Sequence, residues 1–364
     1  MSFRVQGIKV IQFKNFISKH IATPADVVVI TGANGSGKTT LLDAINYACF
    51  TKSHFLSSDA QAVNKLSNGF RIEIDFSYML DGIGMNDKVT CTLRETGKKD
   101  IAVNGVAVKK FSSHIGQYPS VMIAPDDIEL LTGSAELRRA WIDRLISQTN
   151  KEYLEHLIHY NKLLAQRNSL LKRWPDSSLE EKKLLDLYDQ MLPAPAHYIM
   201  NSRKYVVQQL TQKTCEIYKL LSSDQEQIQL QYDSILHNIN MQDLLVQRKD
   251  KDLLLQRTTH GVHRDDIQLQ LNDMPVKTAA SQGQRKSILF ALKLAELEWI
   301  SLHQPKPPLL LLDDVFEKLD THRAGHLLNY IHQLPSQVFI TDTNESLIRT
   351  AMGAFASNCI FLHL

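Results

Sequence analysis

The chain has 364 residues, enough for a large core and two or three compact units, and its charge is nearly balanced at 41 basic against 39 acidic residues. That balance excludes a uniformly basic molecule, so any nucleic-acid surface is a local patch. The cysteines at 49, 91, 215 and 359 form no C-x-x-C pair, which argues for reduced thiols and against a zinc site or a disulfide frame. With no apolar signal core after Met1 and no uncharged apolar run of about 18 residues, a soluble cytoplasmic protein with no membrane partner is expected.

In chain order, Ile8, Val10 and Gln12 alternate into Phe13-Lys14-Asn15-Phe16 and suit a first strand. Val27 to Ile30 is apolar and β-branched without polar alternation, as in a strand buried on both faces of a parallel sheet. Directly after it, Gly32-Ala33-Asn34-Gly35-Ser36-Gly37-Lys38-Thr39-Thr40 contains the pattern G-x-x-x-x-G-K-[ST] of a phosphate-binding loop, and Leu41, Leu42, Ile45, Ala48 and Cys49 then recur at helical spacing. Glycines at 32, 35 and 37 let the backbone curl so that N–H groups face phosphate oxygens, with the positive end of the helix aimed at the same place. The motif assigns Lys38 to the β- and γ-phosphates of a nucleotide and Thr39 to Mg²⁺.

Phe70, Ile72, Ile74, Phe76 and Tyr78 alternate with polar residues, as do Val89, Cys91 and Leu93, which predicts half-buried antiparallel strands. Asn104-Gly105 between short runs from Ile101 to Val108 predicts a hairpin, and Val121 to Ala124 a buried strand stopped by Pro125. Helical stripes follow from Leu154 to Leu171, through Leu185 and Tyr188, and from Ile199 to Leu221, punctuated at Trp174 to Ser178 and at Pro193-Ala194-Pro195. The expected organisation is a sheet-bearing part over 1–125, a mainly helical block over 126–257, and a return to the sheet over 258–364. In that last part Ile267, Leu269 and Leu271 alternate, Ser281-Gln282-Gly283-Gln284 precedes an amphipathic run from Ile288 to Trp299, and strands are expected at 309–312, 337–341 and 359–362.

The strand Leu309 to Leu312 ends in Asp313-Asp314, at the edge where open α/β sheets bind ligands. Phosphoryl transfer needs one carboxylate in the Mg²⁺ shell and another to polarise the attacking water, which makes Asp313 the metal candidate and Asp314 the candidate general base. Taken alone, Ser281-Gln-Gly-Gln284 reads better as a helix cap with a flexible turn than as a ligand-binding segment.

The order of phosphate loop, helical insertion, Ser281-Gln-Gly-Gln284 and Asp313-Asp314 resembles the ATP-binding-cassette heads of SMC-like DNA-maintenance proteins, and most closely the RecF family of bacterial recombination-repair ATPases. Pro125 to Asp143 is similar to that family's central signature, Gly261-Val262-His263-Arg264-Asp265-Asp266 to its G-P-H-R-D-D segment, and Phe13 to Phe16 to its amino-terminal strand. The resemblance implies an α/β cassette-type P-loop ATPase head, lobe I, with an inserted mainly helical lobe II. It also implies that Ser281, Gly283 and Gln284 meet the γ-phosphate held by residues 32–40 of a second protomer, so that ATP joins a homodimer that hydrolysis through Lys38, Asp314 and Ser281 reopens. Implied partners are duplex, single-stranded or gapped DNA and RecR- and RecO-type repair proteins, with weak DNA-stimulated ATPase activity and a role in loading recombinase.

Departures from the family pattern are Ala135, Trp141 and Val262, the segment Glu317-Lys318-Leu319-Asp320, the lack of a His after Thr341 (Asp342 or Thr343 takes that place), and the lack of a Gln after Ala124. Two alternatives are an ABC-transporter ATPase subunit, which usually carries L-S-G-G-Q and a shorter insertion, and a nucleotide kinase, which leaves the helical block and the Ser281 motif unexplained. Arg138, Arg139, Arg144, Lys151, Lys162, Arg167, Lys172 and Arg173 outnumber the acids between Leu131 and Trp174. They suit part of a DNA groove, a solvated helical surface, or, for Arg138 and Arg139, a structural brace.

Overall fold

A hairpin of β1 (Phe3–Phe13) and β2 (Phe16–Ala22) opens the chain in the computed structural model, which describes residues 3–174, 178–222, 226–316, 321–353 and 359–364. β3 (Val27–Thr31), the phosphate loop and α1 (Lys38–Phe50) follow, then β4 (Phe70–Leu80), β5 (Ile83–Leu93), β6 (Lys99–Val103), β7 (Val106–Ala107) and β8 (Ser120–Ile123). Next come α2 (Glu129–Thr132), α3 (Ala135–Thr149), α4 (Lys151–Lys172), α5 (Leu179–Met191) and α6 (Pro193–Ser222). β9 (Ile228–Asp233), α7 (Met241–Leu254), β10 (Asp266–Leu271), β11 (Met274–Pro275), α8 (Val276–Ala279) and α9 (Gln282–His303) lead to β12 (Leu309–Leu312), α10 (Thr321–His332), β13 (Val338–Asp342), α11 (Glu345–Met352) and β14 (Cys359–His363).

The chain divides into two compact units, one of Met1–Ile128, Ile217–Asp224 and Lys286–Leu364, the other of Glu129–Glu216 and Gln225–Arg285. The sequence places the second boundary at 257; the division instead falls within α9, because β10 and β11 pair with β9 rather than with either sheet of the first unit. Ile228, Leu230 and Tyr232 alternate with exposed Gln229, Gln231 and Asp233, so a strand stands inside the block expected to be helical. Pro193 and Pro195 fall at the junction of α5 and α6 as expected, in the first turn of α6, where a missing N–H costs nothing.

The first unit holds a parallel sheet in the order β14-β3-β13-β12-β8 and an antiparallel sheet in the order β2-β1-β4-β5-β6-β7. The apolar runs of β3, β12 and β13 become central parallel strands, buried on both faces as their composition requires. Asn104 and Gly105, both with positive φ, turn the β6–β7 hairpin. Between the sheets lies α1, buried at every residue except Thr39, and its side chains share one core with Ile8, Val10, Ile72 and Ile74 of one sheet and Val28, Ile30, Leu311 and Phe339 of the other. A helix buried all round must satisfy its own polar groups. Asp43 accepts from Ser53 Oγ at 2.6 Å, from His54 N–H at 2.7 Å and from Lys14 Nζ at 2.7 Å.

At the N-terminal ends of the parallel strands, the Gln337 amide ties the hairpin to β13. Its Oε1 accepts from Val5 N–H at 2.7 Å, and its Nε2 donates to Thr23 O at 2.9 Å and Ala25 O at 2.8 Å.

Candidate nucleotide site

The phosphate loop leaves β3 at Gly32 and enters α1 through Gly37, whose φ of 106° is costly for any residue with a side chain. A Cβ at Gly37 would also stand 2.3 Å from Phe16 Cζ, because the turn between β1 and β2 packs against the loop. That turn is more than the strand expected there. Asn15 Nδ2 donates to Gly35 O at 3.2 Å and its Oδ1 accepts from Thr40 Oγ1 at 2.8 Å, which fixes the loop from outside.

No side chain caps the N-terminus of α1, so its first N–H groups are left for an anion. Lys38 folds back along the loop, donating from Nζ to Gly32 O at 2.9 Å and Ala33 O at 3.2 Å. Ser36 Oγ is buried without a hydrogen-bond partner. An uncapped helix start, an orphaned hydroxyl and a lysine held by loop carbonyls together fit a polyphosphate.

β12 brings Asp313 to the same place. Thr39 Oγ1 lies 2.9 and 3.0 Å from the two carboxylate oxygens of Asp313, and the buried Thr341 of β13 donates to Asp313 Oδ1 at 2.8 Å. Burial raises the Asp313 pKa above the ordinary carboxylate value, against the pull of Thr341, Thr39 and Lys38 in the other direction. One hydroxyl and one carboxylate beside a phosphate-binding loop suit Mg²⁺, which keeps waters and takes substrate phosphates as its remaining ligands.

Asp314 adopts φ 45°, and its N–H donates to Thr341 Oγ1 at 3.0 Å. A non-glycine residue in this region is strained, and such strain collects at functional sites. It lines a cavity of about 270 Å³ together with Asn34, Gly35, Gly37, Lys38, Thr39 and Thr40 of the loop and Lys14 and Asn15 of the turn. A larger cavity of about 530 Å³ opens at the opposite ends of the strands, beside Val27, Val338 and Cys359. Open α/β sheets bind ligands at the carboxyl ends of their strands, and the loop makes the smaller cavity the candidate site.

In the second unit, Ser281 and Gln284 form the cap of α9: Gln284 N–H donates to Ser281 Oγ at 3.2 Å, and Ser281 N–H to Gln284 Oε1 at 2.7 Å. Ser281 is exposed and Gly283 half-buried. At the position after Thr341, Asp342 is buried and accepts from Asn344 N–H at 2.8 Å, while Thr343 is exposed. The segment Glu317 to Asp320 lies outside the described residues.

The basic run between Leu131 and Trp174 does not form one surface. Arg167 is fully buried, donating to Asp189 at 2.6 Å, Asp252 at 2.7 Å and Thr258 at 2.8 Å, so its charge is spent inside the unit. Arg138 forks onto Asp266 at 2.7 and 2.9 Å, and Arg139 donates to Asp265 O at 2.6 Å, which makes both of them braces within the second unit. Lys151, Lys162 and Lys172 are exposed.

Among the described residues no helix is long and apolar enough to cross a membrane. The sequence matches the family described as RecF/RecN/SMC N terminal domain over residues 4–358. It is 35% identical over 347 residues to a Bacteroides thetaiotaomicron protein named DNA replication and repair protein RecF, covering 94% of this chain and 91% of that one. A protein of the same name from Cytophaga hutchinsonii is 34% identical over 348 residues, covering 93% and 89%. A solved structure described as the recombination mediator protein RecF-ATP in the RecFOR pathway superposes with a TM-score of 0.87 at 28% identity, over 95% of this chain and 93% of that chain. The Smc head domain from Pyrococcus furiosus shares the fold, with a TM-score of 0.55 at 16% identity over 96% and 92% of the two chains. Because 35% identity extends over 94% of the chain rather than over the phosphate loop alone, the likeness is one of whole proteins, and the chain belongs to the RecF family.

Proposed function

We propose that this chain is a cytoplasmic ATPase of recombinational DNA repair, in which ATP binding drives dimerisation on DNA and slow hydrolysis reverses it. The observation that carries the reading is the pairing of Thr39 with the buried Asp313 beside a cavity that Lys38 and Asp314 line, in a chain of the RecF family. The first unit corresponds to lobe I of the cassette head and the second to lobe II. Lys38 exchanges loop carbonyls for the β- and γ-phosphates, while Gly32 to Thr40 supply N–H groups to the remaining oxygens. Thr39 and Asp313 hold Mg²⁺, which when bound neutralises charge on the phosphate oxygens. Asp314, set by its backbone bond to Thr341, orients and deprotonates the attacking water. Ser281, Gly283 and Gln284 of a second copy complete the site, and RecR- and RecO-type proteins receive the DNA-bound dimer.

Gel shifts on duplex, single-stranded and gapped DNA with ATP, ADP and no nucleotide test the reading. Retention is expected to be strongest with ATP; equal retention in all three states removes the switch, and absence of binding in all three removes the DNA role.

A further inference from the structure

The segment Gly261 to Asp266 is one of the sequence motifs that the nucleotide site does not absorb. Most of its polar side chains turn inward. His263 Nδ1 meets Tyr160 OH at 2.7 Å and its Nε2 faces Thr258 O at 3.1 Å. Asp265 accepts from Tyr232 and lies 3.7 Å from Arg203, while Asp266 takes the fork of Arg138. Arg264 differs. Its side chain is exposed and makes no hydrogen bond or ion pair among the described residues.

The neighbouring chain repeats this feature. Thr259 donates from its N–H and its hydroxyl to Asp252 Oδ1, at 2.9 and 2.6 Å, which clamps the 257–264 stretch against the end of α7. Arg248 and Lys251 stand one turn apart on that helix, and Arg257 follows it; none of these side chains has an ion-pair partner among the described residues. Arg248 Nε is buried without a hydrogen-bond partner. The nearby carboxylate Asp252 is buried and committed to Arg167 and Thr259, which leaves Asp250 as the exposed acid on the last turns of α7. His260 reports the resulting field: burial lowers its pKa, and Arg248, Lys251 and Arg264 lower it further, against Asp252. Cations from the helix and from the loop therefore crowd one place on the second unit.

We propose that Arg248, Lys251, Arg257 and Arg264 form a contact surface for the phosphate backbone of nucleic acid. The proposal rests on the reading of this chain as a DNA-binding protein and says which part of the second unit meets the DNA. Three of the four groups are guanidinium forks, which match phosphate oxygens in pairs, and unpaired cations bring no internal partner that DNA must displace. Phosphate contacts of this kind position a duplex without reading its sequence. Arg167 and Arg138, counted from the sequence as part of a basic run, are by contrast committed to the fold's own carboxylates.

The test uses the full chain with ATP and a labelled duplex of arbitrary sequence, read by fluorescence anisotropy between about 50 and 200 mM salt. The variant Lys251→Gln/Arg257→Gln/Arg264→Gln removes exposed, unpaired side chains, so its melting temperature and ATP affinity should match the wild type. Its plot of log affinity against log salt should be shallower by about 2.7, since each lost phosphate contact takes away about 0.9. If the triple variant melts early, Arg264→Gln alone carries the test with a slope change of about 0.9. An unchanged slope in a variant, with the wild type binding DNA, overturns this surface and leaves the DNA role standing. A wild type that fails to bind in any nucleotide state overturns both.

Discussion

The Thr341 hydroxyl donates to Asp313 Oδ1 at 2.8 Å and accepts from the Asp314 backbone N–H at 3.0 Å, so one side chain on β13 holds the carboxylate of Asp313 and the backbone of Asp314 at the end of β12. Thr341→Val keeps the shape and removes both bonds. A hydrogen bond to a charged group contributes about 1.5–3 kcal/mol, so the valine variant should hydrolyse ATP roughly 10- to 100-fold more slowly, with ATP affinity changed much less. Thr341→Ser should restore the rate. Single-turnover kinetics beside calorimetric titration checks this, and a valine variant with wild-type turnover would free Asp313 and Asp314 from Thr341.

Burial of the Asp313 carboxylate, the proposed Mg²⁺ ligand, carries a stability cost. Its pKa in the fold lies above the ordinary value, so the ionised form is less favourable folded than unfolded, and the cost is fully present at pH values above the folded pKa. Asp313→Asn should therefore raise the melting temperature of the nucleotide-free protein at pH 8 while abolishing hydrolysis. The gain should fade as pH falls through the carboxylate range, where the wild type protonates. Calorimetric scans from pH 8 to pH 4 test the sign, and a melting temperature lowered at pH 8 would contradict it.

Ser281 both caps α9 and is the residue proposed to reach a second copy's nucleotide, and two substitutions separate these roles. Ser281→Arg should leave ATP binding by the monomer intact while blocking ATP-dependent dimerisation. Ser281→Asn retains a capping side chain, and its melting temperature should stay close to wild type. Light scattering with ATP decides the point: normal dimerisation of the arginine variant removes Ser281 from the interface.

His263 gives the second unit a pH dependence. Burial lowers its pKa to about 4, with Arg264 and Arg139 adding to the effect and the Thr258 carbonyl and Asp252 opposing it. A histidine held neutral in the fold contributes stability that is complete above the unfolded pKa of about 6.5 and is lost as pH falls toward 4, on the order of 3 kcal/mol in all. His263→Gln should remove that component, so the difference in unfolding free energy between variant and wild type should shrink from pH 7 to pH 4.5. A difference independent of pH would show that His263 titrates alike in both states.

Local motifs were legible in the sequence because their chemistry is local. The glycines of the loop, the Asn104-Gly105 turn and the apolar strand running into Asp313 each need only their neighbours to be recognised. What stayed hidden depends on partners distant in the chain. Thr341 and Asn15 look like ordinary polar residues until β13 sets one beside Asp313 and the β1–β2 turn sets the other against Gly35 and Thr40. Arg167 reads as surface charge because Asp189 and Asp252, which bury it, lie 22 and 85 residues away. β9 was within reach: Ile228, Leu230 and Tyr232 alternate in period two, but the surrounding helical stripes outweighed so short a run.

The strand order β14-β3-β13 bears on how the protein is made. β3 leads into the phosphate loop, yet both strands that hydrogen-bond to it, Val338–Asp342 and Cys359–His363, lie far downstream of it. A ribosome-bound chain that has reached β8 has the whole loop motif and nothing to hold its strand in a sheet. Closing contacts of such long sequence separation is slow and comes late in folding. Seating the phosphate loop at the end of a paired strand is thus deferred until Val338–Asp342 has been made, long after the loop itself.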